Sequence, residues 1–172
     1  ISERISALDR GLQYGDGLFE TMAVFQGTPR FWQAHVDRLT AGCEQLGLPM
    51  TPQAVLLREV QTVSAGQRRC VVKIIVTRGT SGRGYAITTP VRGNRVVCSW
   101  PWPQDPGDLV ETGIRMRMCA LRLGIQPMLA GLKHLNRLEQ VMARAEWEDR
   151  SIHEGLLLDA AHVLKIDEDI AT

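Results

Sequence analysis

Apolar residues fall three or four positions apart in two segments of the first third of the chain, which is the spacing of amphipathic helices. The first segment covers residues 35–46. The second is expected to begin at Thr51-Pro52, because threonine is a good N-cap and proline suits a first helical turn, and to end near Gly66. The apolar positions that define the two helices are Val36, Leu39, Cys43, Leu46, Val55, Leu56, Val60 and Val63.

Alternating or β-branched segments predict strands around these helices. Residues 70–77 are β-branched almost throughout and are expected to form a largely buried strand. Gln26-Gly27 is a turn signal, so the strand before it is expected to form a hairpin with residues 29–32. The predicted strands are residues 21–25, 70–77, 95–100, 113–121 and 155–159.

A proline-rich segment at residues 101–108 divides the chain. Its prolines are incompatible with regular helix or sheet, so we place a domain boundary at residue 108. Beyond it, residues 136–149 predict a third helix, whose apolar face consists of Leu138, Val141, Met142 and Ala145. Helices between strands in the first part predict a mixed α/β or α+β fold.

Charge and cysteine content exclude several classes of partner. Twenty Lys and Arg residues against 19 Asp and Glu give a net charge of +1, which provides no electrostatic reason to expect nucleic acid or an anionic membrane. The four cysteines are widely spaced and form no CxxC pair, so zinc is not expected, and Cys70, Cys98 and Cys119 are expected to be buried thiols. Reduced thiols and a charged N-terminus unlike a signal peptide favour the cytoplasm.

Lys133 is the residue with the clearest chemical potential. Small and apolar residues precede it and a predicted helix follows it, and such surroundings favour the neutral amine that can attack a carbonyl. Considered alone, a solvated surface lysine is the commoner case. His134 beside it is expected to have a structural role, because adjacent residues on a helix point in different directions.

Four short blocks, in order along the chain, resemble one family of enzymes. Residues 129–141, which contain Lys-His-Leu-Asn-Arg, look like the cofactor-lysine segment of the aminodeoxychorismate lyases, which are fold type IV pyridoxal-phosphate proteins. Residues 9–21 resemble the N-terminal block of the same group, and His35–Leu39 resembles its phosphate-binding segment. Thr77-Arg78-Gly79 with Arg83-Gly84-Tyr85 is similar to its glycine-rich loop.

The resemblance implies a fold and a set of residue roles. The fold is a small N-terminal α/β domain, residues 1–108, followed by the beginning of a larger cofactor domain, residues 109–172. Lys133 would hold pyridoxal 5'-phosphate, and the guanidinium fork of Arg38 would bind its phosphate. Thr21 would help to transfer a proton. Arg78 and Arg83, with Tyr85, would attract a substrate that carries two carboxylates, although the loop glycines around them are equally compatible with simply closing a hairpin.

The implied reaction is the conversion of 4-amino-4-deoxychorismate to 4-aminobenzoate and pyruvate, which serves folate synthesis, by a cytoplasmic homodimer. A branched-chain or D-amino-acid aminotransferase of the same fold is the first alternative. The family also has a glutamate that pairs with the pyridine nitrogen, but Ile166 occupies that position here, and Glu168 could replace it only if the register slips. The chain begins with Ile1 and lacks the family's last third, so we expect a cut or processed chain, and an inactive fragment or interaction module is the second alternative.

Overall fold

A computed structural model describes residues 4–103, 109–161 and 163–165 as two units. The first unit contains the residues up to Pro103 together with Gly131–Asn136, and the second contains the remainder. Residues 104–108 of the expected linker, as well as Ile166 and Glu168, lie outside the described residues. The domain boundary at residue 108 therefore stays a prediction.

The first unit contains a four-stranded antiparallel sheet of strand order β2-β1-β3-β4. Its two central strands pair over their whole length, from Gly17 opposite Thr77 to Phe25 opposite Arg69, which is why β1 begins earlier than the sequence predicted. Gln26 and Gly27 have φ angles of 49° and 75° and form the two-residue turn that joins β1 to β2. The predicted hairpin is therefore confirmed, although its second strand covers only Thr28–Pro29 and Trp32 already begins a helix. The strands are β1 (Gly17–Phe25), β2 (Thr28–Pro29), β3 (Arg69–Thr77) and β4 (Asn94–Pro101).

Three helices accompany this sheet: α1 (Arg10–Tyr14), α2 (Trp32–Leu46) and α3 (Gln53–Val63). The two helices predicted from apolar spacing are confirmed as α2 and α3. The expected N-cap at Thr51 is wrong. Pro52 has an extended backbone with ψ 133°, so the helix begins after it and no side chain caps its first turn.

The core of the first unit lies between α2, α3 and one face of the sheet. Every second residue of β1 and β3 enters it, as the two-residue period of a strand requires. The intervening residues of β1, Phe19 and Thr21, point to the opposite face, which we call the open face of the sheet. The buried members of the core are Leu18, Met22, Val24, Leu39, Cys43, Leu48, Leu56, Val60, Cys70, Val72, Ile74 and Val76.

A buried carboxylate, that of Asp9, ties α1 to the ends of β3 and β4. It caps α1 by accepting a hydrogen bond from the Gly11 N–H at 2.8 Å, and it also accepts from Thr77 Oγ1 at 2.9 Å and Asn94 Nδ2 at 2.7 Å. The helix ends at Tyr14, and its C-cap Gly15 has a φ of 66°, a left-handed conformation that glycine adopts without strain.

The second unit contains a smaller sheet of order β5-β6-β7, in which β5 and β6 are parallel and β6 and β7 are antiparallel. Both strands predicted in this part of the chain are confirmed, although β5 begins at Met116 instead of Gly113. Its core consists of Cys119, Ala143, Trp147 and Leu157. The elements are α4 (Leu109–Thr112), β5 (Met116–Leu123), a 3-10 turn (Pro127–Leu129), α5 (Leu138–Arg144), β6 (Glu154–Asp159) and β7 (Leu164–Lys165).

The third predicted helix is much shorter than expected. It covers only Leu138–Arg144 as α5, and its expected core face, with Leu138 70% and Val141 62% exposed, is not buried among the described residues. Ala143 and Trp147 are buried instead. None of the helices in the described part of the chain combines the length and the apolar character needed to cross a bilayer.

The described cysteines are free thiols. Cys43, Cys70 and Cys119 are buried, whereas Cys98, which we expected to be buried, is only half-buried on β4. Burial raises the pKa of the Cys43 thiol to about 11, with a smaller contribution from the charge of Glu44, so this thiol stays protonated at neutral pH.

We predict that Leu56→Ala lowers the free energy of unfolding by about 2–5 kcal/mol, because Leu56 is fully buried between α3 and the sheet and its loss leaves a cavity. Leu57→Ala is the matched control, because the neighbouring leucine is only half-buried and should cost less than half as much. Urea denaturation followed by circular dichroism measures both changes. Equal losses would contradict this packing.

Candidate active site

The segment that contains Lys133 lies along the edge of β1 as a short extended strand. The Phe19 N–H donates to the Lys133 carbonyl at 2.9 Å, the Leu135 N–H donates to the Gly17 carbonyl at 3.0 Å, and Leu18 lies opposite His134. The helix that we expected to begin at Asn136 begins only at Leu138, because the preceding residues pair with β1. Lys133 is buried, with 8% of the residue exposed.

The ring of Phe19 lies between two lysines on the open face of the sheet. Lys133 Nζ is 5.0 Å from the ring centroid and Lys73 Nζ is 4.1 Å from it. Both distances are within the range of cation–π contacts, which are strongest for amines removed from water. A second amine therefore accompanies Lys133 at the same aromatic ring.

Thr21 lies on the same face of β1 as Phe19, two residues further along the strand, and is half-buried. Its Cα partner on β3 is Lys73, whose own partner on β4 is Cys98. The structure therefore places Thr21 and Lys133 on the same face of β1. Lys73 lies on β3, between β1 and β4. Burial raises the pKa of the Cys98 thiol, and the charge of Lys73 opposes this rise without cancelling it.

Arg38 makes a two-pronged ion pair with Glu20. Its Nε donates to Oε1 and its Nη2 donates to Oε2, each at 2.7 Å, and His35 Nδ1 lies 2.7 Å from the same Oε2. The Glu20 side chain is 1% exposed, whereas that of Arg38 is 31% exposed. The ion pair thus fixes the orientation of the Arg38 guanidinium, which stays partly exposed while the Glu20 carboxylate is buried.

Opposing effects act on the Glu20 carboxyl. Burial alone would raise its pKa, but hydrogen bonds from Arg38 and His35, together with their charges, outweigh burial and hold the pKa of Glu20 below its ordinary value. Glu20 is therefore ionised at neutral pH and supplies the counter-charge for Arg38. Phe19 and Glu20 are neighbours on β1, so Lys133 contacts one of two adjacent strand residues and Arg38 pairs with the other.

Arg78 is buried and engaged in holding helix α2. Its Nε donates to Asp16 Oδ2 at 2.8 Å, while Nη2 and Nη1 donate to the carbonyls of Leu46 and Gly47, at 2.8 and 3.2 Å. Cationic donors at the carbonyl end of a helix are stabilising. These contacts favour a structural role for Arg78.

Arg83 and Tyr85, by contrast, point to solvent in the loop after β3. Tyr85 is 84% exposed, and its ring makes an edge contact with Tyr14 of α1, with 5.4 Å between the centroids. The predicted site residues thus have three distinct surroundings. Lys133 and Thr21 lie on the face of Phe19, Arg38 pairs with Glu20 at the next position of β1, and Arg83 and Tyr85 lie in the loop.

Sequence reasoning missed Lys73 and Glu20, although each carried a signal. Lys73 is a charged residue within an otherwise apolar β-branched run, and Glu20 shares the core-facing period of Leu18 and Met22. A charge that a strand pattern directs into a core requires a partner, which for Glu20 is Arg38.

Comparison with known proteins identifies the family. Residues 17–165 match the family model described as amino-transferase class IV. An aminodeoxychorismate lyase from Vibrio harveyi is 36% identical over 159 residues, which are 91% of this chain and 58% of that protein. The chain therefore spans somewhat more than half of the length of this relative.

Solved structures share the fold. The 4-amino-4-deoxychorismate lyase of Pseudomonas aeruginosa superposes with a TM-score of 0.88 at 46% identity, covering 95% of this chain and 60% of that one. A hypothetical aminotransferase from Mycobacterium tuberculosis, solved in a PLP-bound form, gives a TM-score of 0.74 at 19% identity, covering 95% and 59%, and supports the fold alone. The described fold is thus the fold type IV arrangement that the sequence predicted, and the chain belongs to the amino-transferase class IV family.

Proposed function

We propose that the whole protein is a pyridoxal-phosphate-dependent lyase that converts 4-amino-4-deoxychorismate to 4-aminobenzoate and pyruvate. The observation that carries the proposal is the buried amine of Lys133, paired to β1 next to Phe19 and Thr21. Its surrounding sequence resembles the lysine segment of the aminodeoxychorismate lyases. The two relatives of highest identity described above also have names of this kind.

The donor set suits pyridoxal phosphate. The cofactor requires a lysine that can bond covalently to its aldehyde and a rigid cation for its phosphate. Lys133 is buried against an aromatic ring, and the guanidinium of Arg38 is fixed by Glu20 yet remains partly exposed. When bound, the cofactor supplies an electron sink for the carbon that loses its proton.

Each of the nearby residues has a role in the proposed elimination. The Lys133 amine removes the ring proton from the substrate carbon that carries nitrogen, and the carbon–oxygen bond to the enolpyruvyl group breaks. The leaving group takes up a proton and becomes pyruvate, a transfer that the Thr21 hydroxyl assists. The ammonium of Lys73 on the open face, and the guanidinium of Arg83, provide positive charge for the two carboxylates of the substrate.

An aminotransferase of the same fold is the second candidate, favoured by the match to the class IV fold as a whole. Product analysis separates the two reactions. Release of 4-aminobenzoate and pyruvate in equal amounts supports the lyase, whereas exchange of an amino group with a keto acid, without 4-aminobenzoate, supports the aminotransferase.

We further propose that the protein is a homodimer in the cytoplasm. The homodimer is what the family resemblance implies. The free thiols of the described cysteines are consistent with a reducing compartment.

We predict that Lys133→Ala abolishes both the visible absorbance of bound cofactor and the formation of 4-aminobenzoate, with a rate loss of at least about a hundredfold, because the amine acts as attachment point and base. Lys73→Ala is the matched control, because its amine lies at the same ring. This variant should keep the visible band and show a raised KM. Loss of the band in Lys73→Ala but not in Lys133→Ala would contradict the assignment.

A second prediction concerns the Glu20 carboxylate. Glu20→Gln should lower the free energy of unfolding at neutral pH by about 1–3 kcal/mol, because Arg38 loses its buried counter-charge. The pKa of Glu20 is depressed in the folded state, so the stabilisation is present above the ordinary value of 4.5 and is lost as the pH falls through the lower folded value.

Urea titrations at a series of pH values test this dependence. The difference between wild type and Glu20→Gln should shrink below pH 4.5. Glu59→Gln removes the exposed partner of Arg95 and should cost less than about 1 kcal/mol. A difference for Glu20→Gln that stays constant down to acidic pH would show that its charge does not stabilise the fold.

A further inference from the structure

One buried guanidinium, that of Arg10, donates hydrogen bonds to the backbone of the loop that carries Arg83 and Tyr85. Arg10 is 4% exposed and lies at the start of α1. Its Nη1 donates to the Gly84 carbonyl at 2.9 Å and its Nη2 donates to the Tyr85 carbonyl at 3.2 Å. Longer contacts reach Ser81 Oγ and the Ala86 carbonyl, at 3.3 and 3.5 Å, so one side chain contacts four residues of the loop.

Asp16 balances the charge of Arg10 and connects it to Arg78. A single oxygen, Asp16 Oδ2, accepts from Arg10 Nε and from Arg78 Nε, each at 2.8 Å. Burial would raise the pKa of Asp16, but hydrogen bonds from Arg78 and Arg10 and their charges outweigh it and lower that pKa. The carboxylate therefore stays ionised at neutral pH, and the fork of Arg10 keeps a fixed orientation.

Tyr14 provides a second support on the same short helix. The Gly84 N–H donates to the Tyr14 hydroxyl at 3.3 Å, and the Arg10 guanidinium lies 4.9 Å from the centre of the Tyr14 ring. Asp9 caps α1 and binds it to Thr77 at the end of β3. Hydrogen bonds of the Asp9 carboxylate, the Arg10 guanidinium and the Tyr14 hydroxyl thus join the loop, α1 and the end of β3.

The contacts of Arg10 with the loop, which we call the clamp, involve the loop backbone and leave the side chains of Arg83 and Tyr85 exposed. Arg10 occupies the carbonyls of Gly84 and Tyr85, while the side chains of Arg83 and Tyr85 are exposed. The direction of the Arg83 side chain therefore depends on how Arg10 holds the loop backbone, and no contact between the two side chains is required. A lysine at position 10 would keep the charge, but its single ammonium has no planar fork to reach Asp16 and two loop carbonyls together.

We propose that Arg10 is a positioning residue that fixes the 81–86 loop and thereby sets the affinity for an anionic substrate. The part that concerns substrate rests on the proposed function, in which Arg83 recognises a carboxylate. The part that concerns the loop stands on the contacts of Arg10 alone.

Two measurements on the whole protein with bound cofactor test these parts separately. Hydrogen exchange of the amides of residues 81–86 reports how firmly Arg10 holds the loop, and steady-state kinetics with 4-amino-4-deoxychorismate report the effect on substrate affinity. We expect Arg10→Lys to speed the exchange by about tenfold or more and to raise KM by about tenfold, with kcat within about twofold of wild type. Arg83→Ala should raise KM similarly while leaving the exchange of the loop unchanged.

Matched controls keep the outcome decisive. Arg95→Lys disrupts an exposed ion pair in the same unit and should change neither measurement. Tyr14→Phe removes only one hydrogen bond to the loop and should produce a smaller increase in exchange, which keeps the test available if Arg10→Lys does not fold.

Each failure has a separate meaning. Unchanged loop exchange in Arg10→Lys, or in Tyr14→Phe if Arg10→Lys does not fold, would overturn the clamp, whatever the enzyme does. Faster exchange with an unchanged KM, while Arg83→Ala does raise KM, would overturn the positioning role. An unchanged KM in Arg83→Ala would overturn the substrate role of the loop, and with it that part of the proposal. The absence of lyase activity in wild type would overturn the proposed function and leave the exchange result intact.

Discussion

Two backbone hydrogen bonds, from Phe19 to Lys133 and from Leu135 to Gly17, determine where the candidate catalytic amine lies. Because side chains alternate along a strand, this register puts Lys133 on the face of Phe19 and Thr21. A slip of one residue would direct the lysine into the apolar helix layer instead. Gly17 is required at this approach, because a Cβ there would meet the Val76 carbonyl and the Leu135 side chain.

The first unit accommodates several buried charges by pairing them. Glu20 is joined to Arg38 and His35, and Asp16 is joined to Arg10 and Arg78. Removing one member of such a group leaves the other uncompensated in a poorly hydrated environment, which is costly. The same pairs hold the side chains and loops that the proposed chemistry uses, so a substitution at these positions is expected to affect both the stability of the fold and the proposed chemistry.

Elements with a local signal were predictable from the sequence. The apolar spacing of α2 and α3, the β-branched run of β3 and the turn at Gln26-Gly27 all specify structure within a few residues. The segment around Lys133 was misjudged because its conformation is set by pairing with β1, more than a hundred residues earlier in the chain. No local pattern contains that information, and the same pairing explains why α5 begins at Leu138 instead of Asn136.

The residues of the candidate site also divide into those that the sequence indicated and those that only the structure revealed. Lys133 and Thr21 were found through family resemblance, and the structure brings them to one face of β1. The partners of Arg38 and Arg78 were not predictable, because ion pairs between distant elements depend on the fold. Arg10 stood within a recognised block without a role, and only its contacts in the structure indicate one.

The central claim is that Lys133, and not its neighbour Lys73 at the same aromatic ring, bonds covalently to pyridoxal phosphate. Borohydride reduction of the whole protein with bound cofactor, followed by digestion and peptide mass analysis, tests this claim most directly. The account predicts that the reduced cofactor is found on the peptide that contains Lys133. Cofactor recovered on the peptide of Lys73, or on no single peptide, would contradict it.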